Sequence, residues 1–193
     1  MRLTTAQVVV TCAMLLAACT NQPDKEMNQA RGAIEAARAA GADQYAPDEY
    51  KAAVTSLKHS EDAVWQRDYR QALNDALESR DQAENAARVA ANQKATVRSQ
   101  VERDLHDLQP LLDQARARLK AAEAPRTRRG RTLPAGRQAV DAADASVQKA
   151  RTAMARHDYI GARDAIQGVA DQLQATIRGI EAATQAPAAK RRR

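Results

Sequence analysis

Apolar residues recur every three or four positions through most of the chain, a spacing that places them along one side of an α-helix. A first Ala-rich helix is predicted from about Lys25 to Ala40, stopping at Gly41, the usual residue for a left-handed C-terminal cap. The stretch GADQYAP then reads as a loop. Pro47 is placed as the first residue of a second helix, with Asp48 and Glu49 opposing the helix dipole in its first turn. Tyr50, Ala53, Val54, Leu57 and Val64 mark the expected apolar face of that helix. A turn is predicted at Arg67-Asp68, where Asp68 caps a third helix whose face carries Tyr69, Ala72, Leu73, Ala76, Leu77, Ala83, Ala87 and Ala90.

Further on, Val101, Leu105, Leu108, Leu112, Ala115, Leu119 and Ala122 alternate by four and three, the seam of a coiled coil. Pro110 interrupts this seam, and since a proline inside a helix costs about 3 kcal/mol, a kink or break is expected at Gln109-Pro110. A full reversal there gives six helices, whereas a kink gives five. The segment APRTRRGRTLPAG, residues 124–136, reads as a loop by its Pro and Gly content. Helices resume from about Arg137 to His157 and from Asp158 to Ala183. No stretch alternates like a strand. The expected fold is all-α, with long antiparallel helices in two related three-helix units, coiled-coil-like packing and no sheet.

The two units follow from comparing the halves of the chain. At an offset of 90 residues, KAAVTSLKHSEDAVWQRDYRQA lies over DAADASVQKARTAMARHDYIGA, pairing Asp68-Tyr69 with Asp158-Tyr159. Asp81, Gln82 and Arg88 likewise meet Asp171, Gln172 and Arg178. Upstream the offset becomes 85, with NQARGAIEAARAA over DQARARLKAAEAP, and the extra five residues fall in the arginine-rich loop. Both copies read as helix, loop, helix, Asp-Tyr turn, helix. In each turn the Asp is expected to cap a helix, while the Tyr packs its ring between two helices and its hydroxyl reaches water. The expected division is residues 1–18 as a signal, 19–24 as a tether, 25–109 and 110–185 as the helical units, and 186–193 as a disordered basic tail.

The first residues say where the chain goes. Arg2 supplies a weakly positive start, Val8 to Leu16 an apolar run, and Ala17-Ala18 the small residues that a signal peptidase needs. The run is far shorter than the roughly 20 residues that span a bilayer as a helix. Leu16-Ala17-Ala18-Cys19 resembles a bacterial lipobox, which implies cleavage between Ala18 and Cys19, a diacylglycerol thioether on Cys19 and an acyl chain on its amino group. More than one chain, at about 0.8 kcal/mol per buried methylene, makes a firm anchor. Thr20 follows Cys19, and by resemblance to enteric sorting, where Asp in that place retains lipoproteins at the inner membrane, it favours the outer membrane.

Composition narrows the picture further. Cleavage would leave 193 − 18 = 175 residues with a side-chain balance of 29 − 24 = +5, no Phe and one Trp. Much of the apolar fraction is alanine, the best helix former but a poor source of buried area, which favours long helices with thin contacts. With Cys12 removed and Cys19 acylated, no thiol remains for a disulfide or a thiolate metal site.

A second resemblance appears across the first unit. GADQYAPDEYKAA followed by RDYRQALNDALESRDQAENAA is similar to alanine-rich bacterial envelope lipoproteins that carry a helical domain of unknown function. Their pattern is matched by Gly41-Ala42, Tyr45-Ala46-Pro47, Asp68-Tyr69 and Ala72, over about Lys25 to Ala91. The second copy keeps Asp158-Tyr159 and Ala162 but lacks the Tyr-Ala-Pro element. Some relatives add an OmpA-like peptidoglycan-binding domain, which nothing in this chain resembles. The resemblance implies no catalytic residues.

The residues themselves offer no enzyme chemistry. His59, His106 and His157 have no second ligand at metal-binding spacing, carboxylates alternate with Arg and Lys as on solvated helix faces, and no phosphate loop or serine nucleophile motif occurs. No catalytic residue, metal or cofactor is expected beyond the lipid on Cys19. Arg126, Arg128, Arg129 and Arg131 in the loop, with Lys190, Arg191, Arg192 and Arg193 at the end, are candidate anion contacts. Trp65 is the candidate protein-contact residue, on or beside the apolar face of its helix. The expected function is a lipid-anchored periplasmic scaffold or interaction protein of the cell envelope, whose candidate partners are an envelope protein, peptidoglycan, anionic lipid or a second copy. The alternative is a basic helical nucleic-acid-binding protein, which requires the export signal to be misread.

Overall fold

The computed structural model describes residues 21–123 and 133–185. Among these every regular element is a helix and none is a strand, so the fold is all-α with packed helices. The chain divides into two compact units, the first ending at Lys94 and the second starting at Ala95.

In the first unit, α1 (Asp24–Ala39) buries Met27, Ala30, Ile34 and Ala37 at helical spacing. Gly41 follows at φ 87°, a left-handed conformation that costs glycine little because it has no Cβ. The segment expected as a loop instead forms a single helical turn, α2 (Ala42–Tyr45), whose Tyr45 and Ala46 amides reach back to the carbonyls of Gly41 and Ala42. Ala46 then extends to φ −145°, as the residue before a proline prefers, and Pro47 opens α3 (Pro47–Trp65). Ala42 and Ala46 close a core with Ile34, Ala37, Ala53, Ala83, Ala86 and Ala90, against which Tyr45, Tyr50 and Leu57 pack.

The buried side of α3 differs from its apolar pattern. It consists of Ala53, Ser56, Ser60 and Ala63, whereas Val54 is exposed. The facing helix is α4 (Tyr69–Glu123), which buries Ala72, Ala76, Ser79 and Ala83. Ser60 Oγ donates to the Ala72 carbonyl at 2.7 Å, and Ser79 Oγ donates in the opposite direction to the Ala53 carbonyl at 2.8 Å. A serine side chain is too short to reach a neighbouring backbone unless the helices approach closely. The small residues permit that approach, and the hydroxyls satisfy themselves within it.

The rest of α4 belongs to the second unit. Six of the seven predicted seam residues are buried, with Leu105 partly so. Of the kink or break expected at Gln109-Pro110, the break is absent, because the helix runs through Pro110. Pro110 and His106, the residue whose carbonyl loses its partner, are both exposed. Water can therefore satisfy the freed carbonyl, and the ring meets no packed neighbour. Next come α5 (Leu133–Ala155), which takes in the last residues of the expected 124–136 loop, α6 (Tyr159–Ile166) and α7 (Val169–Gln185). The single helix expected from Asp158 is divided: Gln167 leaves helical geometry at ψ 124°, and Gly168 adopts φ 75°. This unit has an aliphatic core that includes Leu112, Leu119, Val140, Val147, Ile166, Leu173, Ile177 and Ile180.

Buried positions recur along the chain. Pro23, Met27, Ala30, Ile34 and Ala37 are buried, and so, 85 residues on, are Leu108, Leu112, Ala115, Leu119 and Ala122. Ala53, Ser60, Ala72, Ala76, Ser79, Ala83 and Ala90 are buried, and so, 90 residues on, are Ala143, Ala150, Ala162, Ile166, Val169, Leu173 and Ile180.

Candidate functional site

The two Asp-Tyr turns are built alike. In the first, Arg67 adopts φ 61°, its amide donates to the Val64 carbonyl, and the Asp68 amide donates to the Ala63 carbonyl. This is a Schellman ending for α3, although the left-handed position holds arginine where glycine is usual. Asp68 Oδ1 then accepts the Gln71 amide at 3.0 Å and so caps α4. In the second turn His157 also stands at φ 61°, its amide and that of Asp158 donate to the Met154 and Ala153 carbonyls, and Asp158 Oδ1 accepts the Gly161 amide at 2.8 Å. Each Asp thus finishes one helix and starts the next. The two tyrosines differ: Tyr69 is half-buried, while Tyr159 is buried.

The Tyr159 hydroxyl, expected to reach water, meets His157 Nδ1 at 3.0 Å, with the rings edge to face and their centroids 6.1 Å apart. The left-handed backbone of His157 turns its ring back onto the residue two places on, which supplies the partner a buried hydroxyl needs. Nearby, Arg98 donates to Glu102 at 2.8 Å. That hydrogen bond, followed by the attraction of the Glu102 charge, raises the guanidinium above its ordinary value.

The other predicted residues fall apart from one another. Trp65, the last residue of α3, is 87 % exposed and stands off the buried face rather than beside it. Val54 lies eleven residues earlier, three helical turns back along the same line, and is 42 % exposed. Ala18, Cys19, Arg126, Arg128, Arg129, Arg131 and Lys190 to Arg193 lie outside the described residues.

Several cavities of the second unit went unread in the sequence, and one of them lies at a helix break. At the α6–α7 break a cleft of about 560 Å³ opens against α4. Leu108, Leu111, Ile166 and Ala170 form its inner wall, and Asp104, Asp107, Asp171 and Arg163 stand exposed around it. Its only sequence signal is Gly168, an isolated glycine within a helical pattern. Among the described residues no three His, Cys, Asp or Glu side chains come together as a metal-binding group, and no helix is long and apolar enough to cross a membrane.

Residues 25–101 match the family model of a domain of unknown function, DUF4398. The DUF4398 segment contains α1, α2, α3 and the first part of α4, and with them Tyr45-Ala46-Pro47 and the first Asp-Tyr turn. The second turn and the cleft residues Leu108 to Asp171 lie beyond it. No curated protein and no solved structure matches the chain.

Proposed function

We propose that this chain is a lipid-anchored, non-catalytic scaffold or interaction protein on the periplasmic side of a bacterial outer membrane, built from two copies of one helical unit. The observation that carries the reading is Leu16-Ala17-Ala18-Cys19 at the end of a charged and then apolar leader. Helix α1 starts at Asp24, five residues after Cys19, so at about 3.5 Å per residue the folded chain begins within ~20 Å of the lipid. The duplication is supported by the recurrence of buried positions at offsets of 85 and 90 and by two turns with the same hydrogen bonds.

The test is to label cells with palmitate and fractionate them, comparing the chain with its Cys19→Ser variant. Label and membrane association that are lost in the variant support the anchor. An unlabelled protein in the cytoplasm in both cases removes it and favours the nucleic-acid alternative. Candidate envelope partners separate by sedimentation with purified sacculi or with anionic liposomes, using the chain with and without Lys190 to Arg193. Co-sedimentation at low salt that falls on truncation assigns the basic run to that surface.

A further inference from the structure

The cleft at the α6–α7 junction lies where a helix is broken. Its wall includes Ile166, Gln167 and Gly168, the residues at which α6 stops and α7 begins. Ninety residues earlier, Ala76, Leu77 and Glu78 continue unbroken within α4. An uninterrupted helix is therefore compatible with the packing that surrounds this position in the first unit. Breaking it removes main-chain hydrogen bonds, which a helix core does not do without compensation.

We propose that this cleft binds a basic, amphipathic peptide segment of a partner protein, taking aliphatic side chains onto its inner wall and lysine or arginine head groups at its rim. The apolar part is supplied by Leu108, Leu111, Ile166 and Ala170, of which Leu108 and Ile166 are almost wholly buried. The charge is supplied from both sides: Asp104 and Asp107, one turn apart on α4, face Asp171 in the first turn of α7. Arg163, the one cation of the lining, already pairs with Asp164 at 3.2 Å. Among the described residues neither Asp104 nor Asp171 has an ion-pair partner, and Asp107 meets only His106, at 3.2 Å. In a chain of net charge +6, the lining of this cleft carries three Asp against one Arg and so is net negative. Its volume suits a few side chains of a peptide. Carboxylates on both banks fit cations spaced along an extended segment better than a single small amine, which would leave the apolar wall bare. The assignment stands independently of the lipid anchor.

The test is fluorescence anisotropy of the full chain with a labelled peptide of four Leu-Arg repeats, compared with Gly-Arg and Leu-Glu peptides of equal length. Saturable binding of Leu-Arg is expected, with Gly-Arg and Leu-Glu each weaker by about tenfold or more, since both apolar contact and charge are used. Asp104→Asn with Asp171→Asn should weaken Leu-Arg binding about tenfold, and Ala170→Trp, which fills the cleft, should abolish it. Circular dichroism of each variant shows whether helix content is kept. A variant that loses it is replaced by Leu111→Ser, which trims the wall without filling it and should again weaken binding. Equal binding of Leu-Arg and Gly-Arg, or Leu-Arg affinity unchanged in both the Asp pair and Ala170→Trp, would overturn the proposal. So would tighter binding after removal of residues 186–193, because the chain's own basic run would then be the occupant.

Discussion

The turns hold an unusual pair of residues, Arg67 and His157, both left-handed at φ 61° and both where a helix ending of this type favours glycine. A side chain there costs about 1–2 kcal/mol, offset in part because glycine leaves more freedom to the unfolded chain. Arg67→Gly should therefore stabilise the protein by ~0.5–1 kcal/mol, read as a higher urea midpoint by circular dichroism. His157→Gly should gain less, since it also gives up the bond to the buried Tyr159 hydroxyl. Asp68→Ala and Asp158→Ala each remove a cap and should cost about 1 kcal/mol in the same melts. The caps were legible in the sequence because an Asp ahead of an apolar-periodic run is a local signal. The left-handed residues were not, because arginine and histidine carry no mark of positive φ.

The two units bury side chains of different size at some corresponding positions. In the first, alanines and serines let α3 and α4 approach until Ser60 and Ser79 bond to facing carbonyls. In the second, Ile166, Val169 and Leu173 stand where the first has Ala76, Ser79 and Ala83, while Ala143, Ala150 and Ala162 keep the remaining positions small. Ala83 and Leu173 correspond, and both are fully buried. Ala83→Leu should overpack its interface and cost about 1–3 kcal/mol, while Leu173→Ala should leave a cavity and cost about 2–5 kcal/mol. Unfolding followed separately in each variant would show the losses, and a stabilising Ala83→Leu would contradict the close approach. Pro110→Ala should add up to ~3 kcal/mol with little change in helical signal, since the helix already runs through that residue. A clear rise in helical signal would mean that the native helix is interrupted there. Apolar periodicity placed α1 and the buried positions of α4 beyond Val101, and Pro47 marked the start of α3. The periodicity missed Ser56 and Ser60, because a polar residue drops out of an apolar count even when the facing helix satisfies it, Ser56 through Gln82 Oε1 and Ser60 through the Ala72 carbonyl. It also missed the α6–α7 break, because Gly168 alone does not distinguish a tolerated helical glycine from a left-handed one. The cleft was hidden for the same reason, since its lining comes from residues about sixty positions apart on α4 and on α6–α7.

At the scale of the whole molecule, the DUF4398 match and the all-α fold leave function to the leader and to what the helical units bind. The proposed anchor puts the protein at a membrane through Cys19, with α1 starting five residues on at Asp24. That claim is tested most directly by intact-mass spectrometry, with N-terminal peptide mapping, of the protein isolated from bacteria that possess an outer membrane. The predicted result is a chain that begins at Cys19 and carries the mass of a diacylglycerol thioether and an N-acyl group, recovered with the membrane fraction. A chain that keeps Met1 to Ala18, or one that begins at Cys19 with a free thiol and no added lipid mass, would contradict it.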